Sequence, residues 1–176
     1  MKLLKNPLTQ EYKEIKELVL STQFAWFYSN YSIENHVDSR YENIPFYSHN
    51  ILDRPELYNR NYSAPNSPHG EMVINMLNHL LISNNIKIWH WVRISFNAVA
   101  PNLARRQTPP HQDHGFPHNN LLIYLTDSGG DTIIGKEVHH PQEDDVIIWP
   151  DVPGGDKHHL HEPEKKRRVV LVATYV

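Results

Sequence analysis

The sequence places a histidine and an aspartate two residues apart, at His111 and Asp113, directly after Pro109 and Pro110. On an extended backbone, residues two apart project to the same side, so both side chains can bind one ion. Two ligands alone hold a metal poorly. The spacing therefore predicts a metal site whose third ligand comes from a distant strand.

Three histidines near the C-terminus are the candidates for that third ligand: His158, His159 and His161. The chain has thirteen histidines and no cysteine, so a metal must be held by imidazoles and carboxylates. Two histidines and one carboxylate on one face are the ligand set of non-haem Fe(II) oxygenases, which leave three coordination positions open. A 2-oxo acid can occupy two of these positions and dioxygen the third. The alternative is a chance tripeptide with histidines in solvent.

An arginine opens the last strand-like segment, which runs from Arg168 to Val176. Alternation places Arg168, Val170, Val172 and Thr174 on one face of that strand. A guanidinium stays charged and is costly to bury alone, but it can bind a carboxylate through bidentate hydrogen bonds. The pattern predicts an anion site at Arg168, such as the distal carboxylate of 2-oxoglutarate. A surface arginine at a frayed strand end is the alternative.

Two helices are predicted to support these residues. From Thr9 to about Thr22 apolar residues recur at helical spacing, and Thr9 can cap the helix. From Gly70 to about Ser83 an apolar stripe predicts a second helix that packs on the core. Between them, a polar stretch with several prolines favours irregular structure.

After residue 86 the pattern changes to short segments of β-branched and aromatic residues separated by turns. The predicted strands are Lys87 to Ala98, Asn120 to Thr126, Thr132 to Ile134, Asp145 to Trp149 and Arg168 to Val176. Helices followed by strands predict a mainly β, α+β fold, an antiparallel sandwich or jelly roll backed by two N-terminal helices. We expect one domain over 1–176, with 1–86 as helical and irregular support and 87–176 as the jelly-roll core that carries the iron site.

Composition limits the partners of the chain. A formal charge of −3 and a pI near 6.5 give no basic footprint, so nucleic acid is not expected as the main partner. The N-terminus breaks too soon for a signal peptide, and no apolar run approaches the roughly 20 residues that span a bilayer. We expect a soluble, cytoplasmic protein without a membrane partner. The substrate, small-molecule or peptidyl, and the oligomeric state stay open.

Three pieces of the sequence, in order, resemble the 2-oxoglutarate/Fe(II)-dependent dioxygenase superfamily, in particular its prolyl-hydroxylase-like branch and related small phage-type oxygenases. They lie within residues 88 to 176 and are His111-Gln112-Asp113, then Tyr124-Leu125-Thr126-Asp127 with Gly129-Gly130-Asp131-Thr132, then His159-Leu160-His161-Glu162-Pro163 leading to Arg168. The resemblance implies a double-stranded β-helix of the cupin-like type. It also implies a dioxygenase that hydroxylates a substrate while 2-oxoglutarate is decarboxylated to succinate, with Fe(II) as the metal and ascorbate as a candidate reductant.

The resemblance also implies roles for individual residues. In the family a proline follows the third ligand by four residues and the 2-oxoglutarate arginine follows it by about nine, which favours His159 as the third ligand and Arg168 as the arginine. Tyr124 corresponds to a tyrosine that donates to the same distal carboxylate, although Thr126 departs from the family's asparagine. Asn97 corresponds to a polar position near the cosubstrate or substrate. No catalytic residue is predicted beyond the metal ligands.

Three other functions are alternatives to a 2-oxoglutarate-dependent dioxygenase. A cupin-like metal-binding protein without 2-oxoglutarate chemistry shares the barrel, but cupins usually supply more histidines and a glutamate. A binding module could keep the fold while its histidine-rich loop binds divalent metal without oxidation. A hydrolytic zinc enzyme is disfavoured because no nearby glutamate stands out as a general base.

Overall fold

The structure, a computed structural model, describes residues 1–30, 41, 44–58, 60 and 62–176. It contains two α-helices and eleven strands in this described part: β1 Lys2–Leu4, α1 Gln10–Leu20, β2 Phe27–Ser29, β3 Phe46–Asp53, β4 Ala64–Pro65, α2 Gly70–Ser83, β5 Trp91–Val99, β6 His118–Tyr124, β7 Thr132–Ile134, β8 Glu137–His139, β9 Val146–Asp151, β10 His158–Leu160 and β11 Arg168–Tyr175. A short 3₁₀ helix spans Pro55–Tyr58.

The strands form two antiparallel sheets in the part of the chain that the structure describes. The larger sheet has the order β1-β9-β6-β11-β5-β3-β2, with β4 paired to β3, and the smaller one has the order β10-β7-β8. The sheets make up a jelly roll of the double-stranded β-helix type, with two helices on its outer side. The predicted fold class is confirmed.

Both predicted helices are present and pack as expected. The hydroxyl of Thr9 accepts a hydrogen bond from the backbone N–H of Tyr12 and so caps α1. Buried side chains of α2 lie on one stripe that faces the large sheet, and they include Val73, Leu77 and Leu80. The helices therefore cover one face of the sheet and leave its other face to the interior of the roll.

The alternation predicted for the last strand is also found. In β11, Val169, Leu171 and Ala173 pack into the hydrophobic cluster beneath the helices. Arg168 and Val170 instead face the interior of the roll and line a cavity there. Antiparallel pairing of β11 with β5 and with β6 fixes this register, because a one-residue slip would exchange the two faces.

The N-terminal part contributes more than the helical and irregular support that was predicted. β3 lies inside the large sheet beside β5, and β1 pairs with β9. The sequence hides β3 because Ser48 and Asn50, two of its inward positions, are polar and line the cavity, which removes the apolar alternation that marks a strand. Residue 86 is therefore not a structural boundary.

No helix in the described residues combines the length and the apolar character needed to cross a bilayer.

Candidate metal site

His111 and His158 lie opposite each other on two neighbouring extended segments. The backbone N–H of each donates to the carbonyl of the other, at 3.0 Å in both directions. Residues that are directly opposed in an antiparallel pair project to the same face, and the two ring centroids are 4.3 Å apart. This pairing brings the C-terminal histidine segment over the His-x-Asp motif.

His111, Asp113 and His158 form a cluster with metal-ligand geometry. Each offers one ligand atom, and these atoms all lie within 4.8 Å of one another. His158 Nε2 is 3.8 Å from Asp113 Oδ2. His111 Nδ1 lies 3.0 Å from the carbonyl oxygen of Pro109, which can only accept, so Nδ1 carries the proton and Nε2 keeps its lone pair. Among the described residues no other group of three such side chains has this geometry.

The third member of the cluster is His158, whereas the sequence predicted His159 as the third ligand. His159 borders the same cavity but pairs with Ile133 in the small sheet, and its neighbour His158 is the residue that opposes His111. Adjacent residues of a strand project to opposite faces, so one position decides which imidazole meets Asp113. The prediction counted back from Pro163 and Arg168, and from His158 each of these lies one residue further along the chain than that spacing assumed.

His161 takes no part in the cluster. Its Nε2 lies 2.7 Å from Nε2 of Gln107 and its Nδ1 lies 3.5 Å from a carboxylate oxygen of Asp131.

Charges around the cluster hold both Asp113 and His158 in the form that binds a cation. Burial acts to raise the pKa of Asp113, but the charges of Arg93 and the nearby histidines hold it well below its usual range. Burial, followed by repulsion from His111, lowers the pKa of His158 to about 3. At neutral pH the site therefore presents an ionised carboxylate and a neutral imidazole.

A second, buried carboxylate lies behind the cluster. Asp151 Oδ2 is 3.9 Å from His158 Nδ1 and 3.6 Å from His118 Nε2, and these three buried atoms have no hydrogen-bond partner. Gln112 Nε2 donates to the other oxygen of Asp151 at 2.6 Å. His158 thus lies between two carboxylates, with Nε2 toward Asp113 and Nδ1 toward Asp151.

Arg168 is buried at the start of β11 and is only 2% exposed. Its Nη2 donates to Thr132 Oγ1 at 3.0 Å, while its Nε has no partner. No carboxylate lies within ion-pair distance of this guanidinium in the part of the chain that the structure describes, although it lines the cavity. A buried cation with unused donors beside an open space is the arrangement expected of an anion site.

Tyr124 and Gly130 shape the surroundings of Arg168. The guanidinium lies 5.2 Å from the centre of the Tyr124 ring, and the Tyr124 hydroxyl is 2.7 Å from Thr132 Oγ1. Tyr124 is fully buried and does not line the cavity, so the structure places it against Arg168 rather than facing the open space. Gly130 has a φ of +81°, and a Cβ there would lie 2.9 Å from Arg168 Cδ and from the carbonyl oxygen of His161.

The metal cluster and Arg168 open into one cavity of about 490 Å³. Asn97 lines it from β5, where its Oδ1 accepts a hydrogen bond from Ser95 Oγ at 2.9 Å. The predicted residues His111, Asp113, His159, Asn97 and Arg168 all border this space, together with His158. Size and polarity suit a small polar ligand beside the cluster.

Two solved structures share this fold over nearly the whole chain. An oxidoreductase of the 2OG-Fe(II) oxygenase family from Burkholderia pseudomallei matches with a TM-score of 0.68 and 17% identity, over 93% of this chain and 77% of that one. A prolyl hydroxylase from Trichoplax adhaerens, solved with a hypoxia inducible factor oxygen degradation domain peptide fragment, matches with a TM-score of 0.63 and 14% identity, over 99% of this chain and 82% of that one.

At these identities the comparison establishes the fold, and the resemblance noted in the sequence is confirmed at that level. No protein-family model matches the sequence, and neither does any curated protein.

Four residues around the cluster were not assigned a role from the sequence: Arg54, Arg93, Thr132 and Asp151. Arg93 carried a usable signal, since it shares a strand face with Asn97, whereas the other three lie far from the motif in the chain. Only the pairing of β3, β7 and β9 with their neighbours brings them near it.

Proposed function

We propose that the protein is an Fe(II)- and 2-oxoglutarate-dependent oxygenase, built as one domain over 1–176, with His111, Asp113 and His158 as the iron ligands. Overall, 2-oxoglutarate, dioxygen and a C–H bond of the substrate become succinate, carbon dioxide and a hydroxylated substrate. The observation that supports this most strongly is the conjunction of the cluster with Arg168 in one cavity. A metal-binding protein without cosubstrate would have no use for a buried, unpaired guanidinium there.

The residues fit the iron and the cosubstrate. Two imidazoles and one carboxylate are the donor set of non-haem iron oxygenases, and they leave positions for a chelating 2-oxo acid and for dioxygen. Iron at this site supplies the activation of dioxygen, coupled to decarboxylation of the cosubstrate. Arg168 binds the distal carboxylate of 2-oxoglutarate through donors that no protein carboxylate uses, and Thr132 and Tyr124 hold that guanidinium in place.

Binding of 2-oxoglutarate to wild type and to Arg168→Gln tests this assignment. Loss of a buried, charge-assisted pair should weaken binding by about 2 to 5 kcal/mol. Calorimetric titration of the iron-loaded, oxygen-free protein measures it, and succinate formation in air follows turnover. Arg167→Gln is the matched control because Arg167 is exposed and lies next to Arg168. Equal affinity in Arg168→Gln and wild type would leave a cupin-like metal protein as the better account.

A further inference from the structure

The cavity has a second cationic end, formed by Arg54 and Arg93. Arg54 directly follows β3, and Arg93 lies on β5 opposite Thr174 of β11. Arg168 pairs with Val99 at the other end of β5. Val99 lies six positions after Arg93, or about 20 Å along the strand, so the two cationic ends are far apart. Asp113 contacts the Arg93 end.

Arg54 and Arg93 share a single carboxylate of the metal cluster. Arg93 Nη1 donates to Asp113 Oδ1 at 3.1 Å, and Arg54 Nη2 lies 3.7 Å from the same oxygen. Arg54 Nη1 donates to the backbone carbonyl of Asp113 at 2.9 Å. Both arginine side chains line the cavity and are accessible to a ligand. Arg93 is 17% exposed and Arg54 is 26% exposed.

The charge balance at this end depends on the metal. Asp113 and Asp53, which also lines the cavity, offset the two guanidiniums in the metal-free protein. The Glu56 carboxylate also acts on Arg54, but it is 43% exposed and contacts His114. A divalent cation bound to Asp113 would add two positive charges beside Arg54 and Arg93. The carboxylate of 2-oxoglutarate that chelates the metal would offset one of them, and the distal carboxylate lies at the Arg168 end and does not reach them. An excess of partly buried positive charge is stabilised by a further anion.

We propose that the substrate is a small carboxylic acid whose carboxylate binds to Arg54 and Arg93. This inference rests on the proposed function, because it assigns the substrate side of the same cavity. A planar guanidinium binds a carboxylate through two parallel hydrogen bonds, and two guanidiniums at the cavity wall orient it. The acid is then held on the side of the cluster away from Arg168, where its carbon chain reaches the metal.

The experiment measures cosubstrate binding and acid binding separately, so that failure of the proposed substrate class is distinguished from failure of the proposed function. Wild type is loaded with Fe(II) and saturating 2-oxoglutarate without oxygen, and the visible charge-transfer band of the chelate is recorded. Amino acids and unsubstituted aliphatic acids of three to six carbons are then added, each beside its primary carboxamide. Binding is measured from the change in the band and from the rise in melting temperature. Melting is also measured with iron alone, without 2-oxoglutarate, so the anion site is judged with the metal in place even if no band forms.

We expect acids to bind and their carboxamides to bind about tenfold or more weakly. Arg54→Gln should remove that preference while the 2-oxoglutarate band stays, because Arg54 approaches the Asp113 side chain only to 3.7 Å and its 2.9 Å hydrogen bond goes to the backbone carbonyl of Asp113. Arg93→Lys keeps the positive charge but loses the parallel N–H donors of the guanidinium. It should weaken acid binding less than Arg54→Gln does. Arg105→Gln is the matched control, since Arg105 lies outside the cavity and pairs with Asp131 and Glu164.

Two results would overturn the proposal and leave the oxygenase assignment intact. One is a normal band with no acid bound more tightly than its carboxamide. The other is an acid preference that Arg54→Gln does not change. Absence of the band with iron bound contradicts the proposed function instead, and acid-selective melting shifts that vanish in Arg54→Gln would still support the anion site.

Discussion

His158 is oriented by the two carboxylates on either side of it. Its Nε2 faces Asp113 and its Nδ1 faces Asp151, at 3.8 and 3.9 Å. A histidine that binds a metal through one nitrogen usually donates from the other to a carboxylate or carbonyl, which fixes its tautomer and ring plane. His111 follows the same rule through the carbonyl of Pro109. At 3.9 Å, His158 Nδ1 and Asp151 Oδ2 are not hydrogen-bonded in this structure, and we propose that Asp151 becomes the positioning partner of His158 when Nε2 binds a metal.

Asp151→Asn should lower the affinity for divalent metal about 10- to 100-fold, because a neutral amide oxygen is a weaker acceptor for the Nδ1–H donor than a carboxylate. Titration of the metal-free protein with Fe(II) or Co(II) measures the dissociation constant, and the visible spectrum of the Co(II) form reports ligand geometry. Asp127→Asn, an exposed aspartate in the turn after β6, serves as control. An unchanged dissociation constant and spectrum in Asp151→Asn would exclude the positioning role.

At the scale of elements, the turn between β6 and β7 approaches the guanidinium of Arg168 closely. Gly129 and Gly130 both have positive φ, at +69° and +81°, so alanine strains the backbone at either position. A Cβ at Gly129 meets nothing within 4 Å, whereas a Cβ at Gly130 meets Arg168 Cδ and the carbonyl of His161 at 2.9 Å. A comparison of alanine variants at these two glycines therefore separates the effect of backbone strain from the effect of displacing Arg168.

Gly130→Ala should weaken 2-oxoglutarate binding by about tenfold or more, which corresponds to at least about 1.4 kcal/mol. Gly129→Ala should lower stability to a similar degree but leave the cosubstrate affinity near that of wild type. Calorimetric titration with 2-oxoglutarate and denaturant unfolding, run on both variants, measure the two effects. An equal loss of 2-oxoglutarate affinity in both variants would mean that the backbone conformation of the turn, and not the position of Arg168, determines that affinity.

Helices and strands whose side chains pack into a hydrophobic core were predictable from the sequence. Strands whose polar side chains line the cavity were harder to predict. α1, α2 and β11 carry clear apolar periodicity. β3 was missed because Ser48 and Asn50 face the cavity. His111, Asp113 and Arg168, which the sequence singled out, border one cavity, whereas the cluster contains His158 in place of the predicted His159. Only the pairing of His158 with His111 selects between these adjacent histidines.

At the scale of the whole molecule, stability and chemistry lie on opposite faces of the large sheet. The main hydrophobic cluster fills the space between the sheet and the helices, and includes Ile15, Leu77, Phe96 and Leu171. A smaller cluster around Tyr124 and other side chains packs inside the roll near the cavity. Substitutions beneath the helices should therefore change stability with little effect on the site.

Leu77→Ala should destabilise the protein by about 2 to 5 kcal/mol, because Leu77 is fully buried and its loss leaves a cavity. Ile82→Ala is the control on the same helix, where the side chain is 69% exposed and the change should stay within about 0.5 kcal/mol. Urea unfolding measures both, and 2-oxoglutarate affinity at a permissive temperature should be that of wild type. Equal losses in the two variants would contradict the packing described for α2.

We propose that His158 completes a site for iron, on which 2-oxoglutarate would chelate. The most direct test is anaerobic titration of the metal-free protein with Fe(II) and then 2-oxoglutarate, followed by the visible charge-transfer band, in wild type, His158→Ala and His159→Ala. We expect the band in wild type and in His159→Ala, and its loss in His158→Ala. A band that survives in His158→Ala and disappears in His159→Ala, or no band in wild type with iron bound, would contradict it.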